Sequence, residues 1–281
     1  MNVNTLVMRY PNGLNKALTL SYDDGVVEDI RLIDIMKAHG LKGTFNVNTG
    51  RYAAEGAPRK EPYANRLTYA EVSELYNQEG IEIAIHGYSH ASLPTLPPLQ
   101  ATVEVLRDRE NLEAQFDREV RGMAYAYGSY DDKTVQVLRD CGVLYCRTTA
   151  TTKGFKIPTD WLRLPATCHH ASQELPELTE KFLNTQLRDR DNPWLFYLWG
   201  HSYEFERDQN WEIIENFAAK IGNREDIWYA TNSEIFEYIE DFQRLRFDAD
   251  MTRVINPTAR PLWFLLGKKS YCVRPGETLK L

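Results

Sequence analysis

The sequence predicts an α/β fold built on a mostly parallel sheet. Strand-like and helix-like segments alternate along the chain, and polar, chemically active residues follow directly on several apolar strands. The 281 residues, 43% hydrophobic and 12% aromatic, suffice for one large packed core. No internal repeat, low-complexity tract or long linker interrupts the alternation.

The elements follow in order. Ala17–Tyr22 reads as a buried strand ending at Asp23-Asp24-Gly25, and a helix follows from about Glu28 to His39, stopped by Gly40. Thr44–Asn48 is the next strand, and Thr68-Tyr69-Ala70-Glu71 is a capping box opening a helix toward Gln78. Ile81–Ile85 alternates with period two and runs into His86-Gly87-Tyr88-Ser89-His90; a long helix covers Leu99–Phe116. Val120–Ala126 is a strand ending at Tyr127-Gly128, Asp132–Cys141 a helix and Val143–Arg147 a strand. Ser172–Arg190 reads as mostly helical, Trp194–Trp199 as an apolar strand ending at Gly200-His201, and Gln209–Ile221 as a helix. A strand at Ile227–Ala230 and a helix at Ser233–Leu245 complete the body. From about Asp250 prolines and glycines separate short apolar runs. The expected division is therefore a main domain over 1–250 and a β-strand extension over 251–281 packed upon it.

Composition narrows the function. Acidic residues number 40 and basic ones 33, a net charge of −7, which argues against broad binding to nucleic acid or anionic membranes. No stretch is long and apolar enough to span a bilayer. Met1–Asn15 lacks the apolar core of a signal peptide, so the expected location is cytoplasmic, or secreted if a leader has been removed. Cys141, Cys146, Cys168 and Cys272 form no C-x-x-C pair, in keeping with free thiols in a reducing compartment.

Because parallel strands share one C-terminal face, Asp23-Asp24, His86/His90, Tyr127 and His201 are expected to converge there. Each pattern alone is also met in ordinary loops; their chemistry is joint. Two adjacent carboxylates at the end of an apolar strand repel unless a cation compensates. Two histidines and one aspartate give a divalent metal three ligands and leave a position for water. The other aspartate is then free to take a proton from that water, and His201, beside an apolar wall, to return one to a departing amine or alkoxide. The set suits metal-assisted hydrolysis of an amide or ester.

These residues carry a family resemblance. Leu20-Ser21-Tyr22-Asp23-Asp24-Gly25 resembles the T-F-D-D-G motif of the polysaccharide deacetylases, the NodB-homology or carbohydrate esterase family four. His86-Gly87-Tyr88-Ser89-His90 is similar to its H-x-x-x-H motif, Ala124-Tyr125-Ala126-Tyr127-Gly128 to its third motif, and Leu198-Trp199-Gly200-His201 to its last. The motifs occur in family order over about residues 18–205. The resemblance implies a distorted (β/α) barrel of roughly seven strands. It implies Asp24, His86 and His90 as ligands of a divalent metal, usually zinc. It further implies Asp23 as base, His201 as acid and the Tyr127 N–H as a donor to the oxyanion.

The sequence also departs from the family pattern. The third motif normally carries an arginine that orients the base; Ala124 stands there, and Ala126 replaces the usual proline. Arg147, at a strand end, is the proposed substitute. Asp160-Trp161 is the candidate for the fourth motif, with the indole as a wall of an acetyl pocket. Cys168 reads as an ordinary buried cysteine, and of His169 and His170 at most one is expected to face the site. Tyr203 and Glu204 either line the cleft or belong to a covering loop. The expected activity is a metal-dependent hydrolase removing an acetyl group from an N-acetylated, carbohydrate substrate. The alternatives are a hydrolase of small cyclic amides or ureides and a non-catalytic carbohydrate-binding homologue.

Overall fold

A computed structural model describes residues 5–281. Residues 1–4, where the polar N-terminal run and the expected first domain begin, lie outside the described residues. In chain order the strands are β1 (Leu6–Arg9), β2 (Lys16–Asp23), β3 (Gly43–Val47), β4 (Ile81–Ile85), β5 (Gly122–Ala124), β6 (Tyr145–Thr151), β7 (Leu164–Ala166), β8 (Cys168–His169), β9 (Trp194–Gly200) and β10 (Trp228–Tyr229). The helices are α1 (Asp29–Ala38), α2 (Tyr69–Leu75), α3 (Pro98–Phe116), α4 (Asp132–Asp140), α5 (Leu175–Asn184), α6 (Tyr203–Arg207), α7 (Glu212–Ile221) and α8 (Asn232–Gln243).

The central sheet runs β7-β6-β5-β4-β3-β2-β9-β8, and every pairing in it is parallel. Its two ends, β7 and β8, are separated in sequence only by Thr167. The Thr167 N–H donates to Tyr197 O at 2.8 Å in β9, while its own carbonyl accepts from Lys153 N at 3.0 Å. One split strand thus touches β6 with its first half and β9 with its second, and the sheet curls back on itself as a distorted barrel. Counted once, that strand makes seven. β10 pairs in parallel with Ala17 and Leu18, below the point where β3 begins beside Leu20.

Period-two alternation sorts the side chains. Leu18, Leu20 and Tyr22 of β2, Phe45 and Val47 of β3, and Ile81, Ile83 and Ile85 of β4 join Leu32, Ile33 and Met36 of α1 in the core between sheet and helices. The intervening residues point inward and are polar: Thr19, Ser21, Asp23, Thr44, Asn46 and Arg147 are all buried. They satisfy one another, as burial requires. Asn46 Nδ2 donates to Ser21 Oγ at 3.0 Å, and Glu82 accepts from Thr44 Oγ1 at 2.8 Å and Tyr145 OH at 2.5 Å. The start of α8, set by a Thr231/Glu234 capping box, plugs the lower end. Ser233 N donates to Glu82 Oε2 at 3.0 Å, and Asn232 bonds both Thr19 and Tyr197.

After Gln243 come β11 (Arg246–Phe247), β12 (Arg253–Ile255), β13 (Leu262–Leu266), β14 (Lys269–Val273) and β15 (Thr278–Lys280). They form two three-stranded antiparallel sheets, β1-β13-β14 and β11-β12-β15. Phe242 and Leu245 pack against Phe264 and Val254 of these sheets. Tyr238 OH donates to Arg9 O at 2.6 Å and accepts from Trp263 N at 3.0 Å.

One expectation needed correction. The helix read over Ser172–Arg190 is only Leu175–Asn184, because Thr185 turns extended and the carbonyls of Asp189 and Asp191 serve the buried Arg9 guanidinium instead. Tyr203 and Glu204, left open between cleft lining and a covering loop, lie in α6. Among the described residues no helix is long and apolar enough to cross a membrane, and all four cysteines are free.

Candidate active site

The inward face at the upper strand ends carries the site. Asp23 closes β2 and points inward; its Oδ1 accepts from Asn46 Nδ2 at 2.9 Å and its Oδ2 from Arg147 Nη2. Arg147 stands directly across from Ala124 in the β5–β6 register, fully buried, with its guanidinium 4.3 Å over the Trp199 ring. Nε2 of His86 and Nε2 of His201 each lie 3.9 Å from Asp23 Oδ2. Burial would raise the Asp23 carboxyl, but Arg147, His86 and His201 outweigh it and hold it below its ordinary value.

Strand alternation alone would turn Asp24 away from Asp23. The backbone prevents this by entering the left-handed region at Asp24 (φ 89°) and Gly25 (φ 65°). Such a conformation is costly for a non-glycine residue. Arg66 braces it, donating through Nη2 to Asp24 Oδ1 at 2.8 Å and through Nη1 to the Asp24 carbonyl. Burial raises the Asp24 carboxyl, yet His86, Arg66, His201 and His90 together bring it to about 2.

His86 follows β4. Its backbone N–H donates to Asp108 Oδ2 at 3.0 Å, and its Nδ1 lies 2.9 Å from Ala124 O. A carbonyl only accepts, so Nδ1 carries the hydrogen and the Nε2 lone pair faces the aspartates. Positive φ at Gly87 (81°) and His90 (63°) folds the segment back, setting the two imidazoles 4.8 Å apart at 68°. Glu104 of α3 pins the turn by accepting from Ser89 N and Oγ, each at 2.8 Å. Burial lowers both imidazoles, and with His86 beside it His90 falls to about 4, so both offer neutral nitrogen donors. One ligand atom from each of Asp24, His86 and His90 lies within 4.8 Å of the others. Two neutral imidazoles and an ionised carboxylate fit a divalent cation.

His201 follows β9. Its Nδ1 lies 3.5 Å from Glu204 Oε1. Glu204 also meets Nε2 of His169 at 3.0 Å and of His170 at 3.1 Å through Oε2. Burial would lower the His201 pKa, but Glu204, Asp23 and Asp24 outweigh it and raise it. His169, His201 and Glu204 resemble the first trio in composition. What lies behind the ring tells them apart. His169 Nδ1 accepts from Ala171 N at 3.1 Å, which puts its hydrogen on Nε2, 3.0 Å from Glu204 Oε2. In the first trio the His86 Nε2 lone pair faces a carboxylate; in the second the His169 Nε2–H does.

Tyr127 lies in the turn after β5 with φ 59° and is 68% exposed, its ring 4.5 Å from that of His90. Trp161 does not join the site. Its indole packs edge-on against Phe236 of α8, ring centroids 5.2 Å apart at 90°, with Leu164, Leu195 and Ile235 around it. The placement as an acetyl-pocket wall is corrected accordingly: an indole beside the apolar strand starts finds its burial there. Sequence reasoning missed Asn46, Asn48 and Arg66. The asparagines were legible in principle, since Asn46 in β3 and Asn48 just past its end alternate with Phe45 and Val47. Arg66 sits in a loop with no periodic signal.

The model of the polysaccharide deacetylase family matches residues 7–146, the stretch that holds Asp23, Asp24, His86, His90 and Tyr127. The chain belongs to the polysaccharide deacetylase family. A candidate polysaccharide deacetylase from Mycobacterium smegmatis shares this deacetylase fold at 18% identity, over 85% of this chain and 95% of that one, with a TM-score of 0.57. A Streptococcus pyogenes deacetylase in complex with acetate is 25% identical over 52% of this chain, with a TM-score of 0.44; the present chain spans 62% of its length. A family 4 carbohydrate esterase from Streptomyces lividans in complex with acetate is 15% identical over 74% of this chain and 88% of that one, with a TM-score of 0.46. No curated protein matches the sequence.

Proposed function

We propose that the protein is a metal-dependent deacetylase that hydrolyses the N-acetyl group of a carbohydrate substrate. The observation that carries this reading is the unequal treatment of two adjacent aspartates. Asp23 is bonded by Asn46 and Arg147, whereas Asp24, braced by Arg66, is turned toward two neutral imidazoles. Asp24, His86 and His90 would hold the cation, zinc by the nature of the donors. Bound there, the ion supplies Lewis acidity, lowering the pKa of a water molecule and polarising the substrate carbonyl.

The chain's own groups do the rest. Asp23 takes the proton of the attacking water, with Arg147 and Asn46 fixing which lone pairs remain for it. The Tyr127 N–H donates to the carbonyl oxygen as negative charge builds there. His201, protonated and held by Glu204, passes its Nε2 proton to the leaving nitrogen. Amine and acetate are the products.

Turnover of N-acetylglucosamine oligomers tests the reading, with cyclic amides and ureides as the competing panel. Asp23→Asn and His201→Ala are each expected to lower kcat by at least about 100-fold while zinc content, read by atomic absorption, stays at the wild-type level. Retained turnover in either variant overturns the role given to that residue. Turnover of cyclic amides alone would replace the carbohydrate with a small ring substrate.

A further inference from the structure

Arg66 places a permanent positive charge on the carboxylate that the reading above gives to the metal. Its Nη2 bonds Asp24 Oδ1 at 2.8 Å, and the same oxygen lies 3.7 Å from His90 Nε2. The guanidinium therefore occupies the oxygen that faces the ligand set. It is not free to leave. Its other arm holds the Asp24 carbonyl and reaches Asn48 Oδ1 at 3.4 Å, and its backbone bridges Val26 in antiparallel fashion. Asn48 is itself fixed, because its Nδ2 donates to the carbonyls of His86 and Gly87 at 2.8 and 2.7 Å. One bracket thus ties the turns after β2 and β4, which carry all three candidate ligands. A neutral donor in this place would orient Asp24 without repelling a cation. An arginine stays charged at any working pH.

We propose that Arg66 attenuates the metal centre: it shares Asp24 with the cation and keeps the ion weakly held and exchangeable. This rests on the assignment of Asp24, His86 and His90 as ligands. It makes a prediction that a merely structural role reverses. If Arg66 only orients Asp24, its loss weakens metal binding. If it competes through charge, its loss tightens binding.

The test is zinc affinity measured by competition with a chromophoric chelator. Arg66→Gln, with Arg66→Met as a second charge-free variant should the first fail to fold, is expected to bind zinc about tenfold or more tightly than wild type. Arg66→Lys, which keeps the charge, is expected to stay within about threefold of wild type. Equal or weaker binding in the charge-free variants overturns the proposal while leaving the metal reading intact. Absence of zinc binding in the wild type overturns the metal reading, and the attenuation with it.

Discussion

At the scale of single residues, the site works by what lies behind each functional group. Ala124 O behind His86 makes that ring a lone-pair donor; Ala171 N–H behind His169 makes that ring a hydrogen donor. Arg147 shows the same logic for a carboxylate. It is buried with Asp23, and removing one partner of a buried ion pair leaves the other charge unpaired. Arg147→Ala should therefore cost about 3–5 kcal/mol of stability, read by denaturant unfolding, as well as lowering kcat/KM. Unchanged kcat/KM would remove Arg147 from its part in orienting Asp23. Glu204 offers a second prediction. It raises His201, so Glu204→Gln should lower that imidazole's pKa. If His201 is the acid as proposed, it must be protonated to act, so the alkaline limb of the kcat–pH profile should move to lower pH, with kcat reduced about tenfold or more. Asp23, Asp24, His86 and His201 could be picked out as candidates because each stands at or directly after a strand end, and His90 because it is spaced four residues from His86. The arginine contact with Asp23 and the approach of His169 and His170 to Glu204 depend on distances between segments far apart in sequence, which no local pattern encodes.

At the scale of elements, turns and helix starts hold these residues in place. Asp29 opens α1 and accepts from Val26 N at 3.1 Å, Tyr76 OH at 2.6 Å and Ser202 Oγ at 2.6 Å. It thereby links the turn after β2 to the residue beside His201. Burial outweighs these bonds and raises its carboxyl to about 7. A carboxyl whose folded pKa exceeds its unfolded one stabilises fully at low pH, and that contribution fades as pH rises through the folded value. Wild-type stability should therefore fall between about pH 4 and pH 7 by up to roughly 4 kcal/mol from this group, and Asp29→Asn should flatten that slope. Chemical denaturation across that range checks it; an unchanged slope would mean that Asp29 is ionised in the folded protein. The capping box at Thr68 was readable from Thr-x-x-Glu, and it forms. The split strand β7/β8 was not, because Pro165 and two short runs give no period, and only its pairing with two different neighbours makes it a strand. The start of α8 lies at Asn232, one residue earlier than the pattern suggested, because Thr231 caps it.

At the scale of the whole molecule, the α/β class followed from alternation alone, and the parallel sheet places the strand ends on one side. What alternation could not supply is the polar lining. The sheet brings the pairs Tyr145–Glu82 and Arg147–Asp23 to its inward face, beside a second apolar cluster of Leu164, Leu195, Tyr197 and Trp199. Because neighbouring positions on β2 belong to opposite media, a single-residue insertion between Ala17 and Leu20 would rotate Asp23 toward α1 and thrust Tyr22 onto the inward face. Such a frame error should leave neither a foldable chain nor a partly working one. The spacing that buries the hydrocarbon is the spacing that aims the carboxylate, so a register shift in β2 would displace Asp23 and unpack Tyr22 at one stroke.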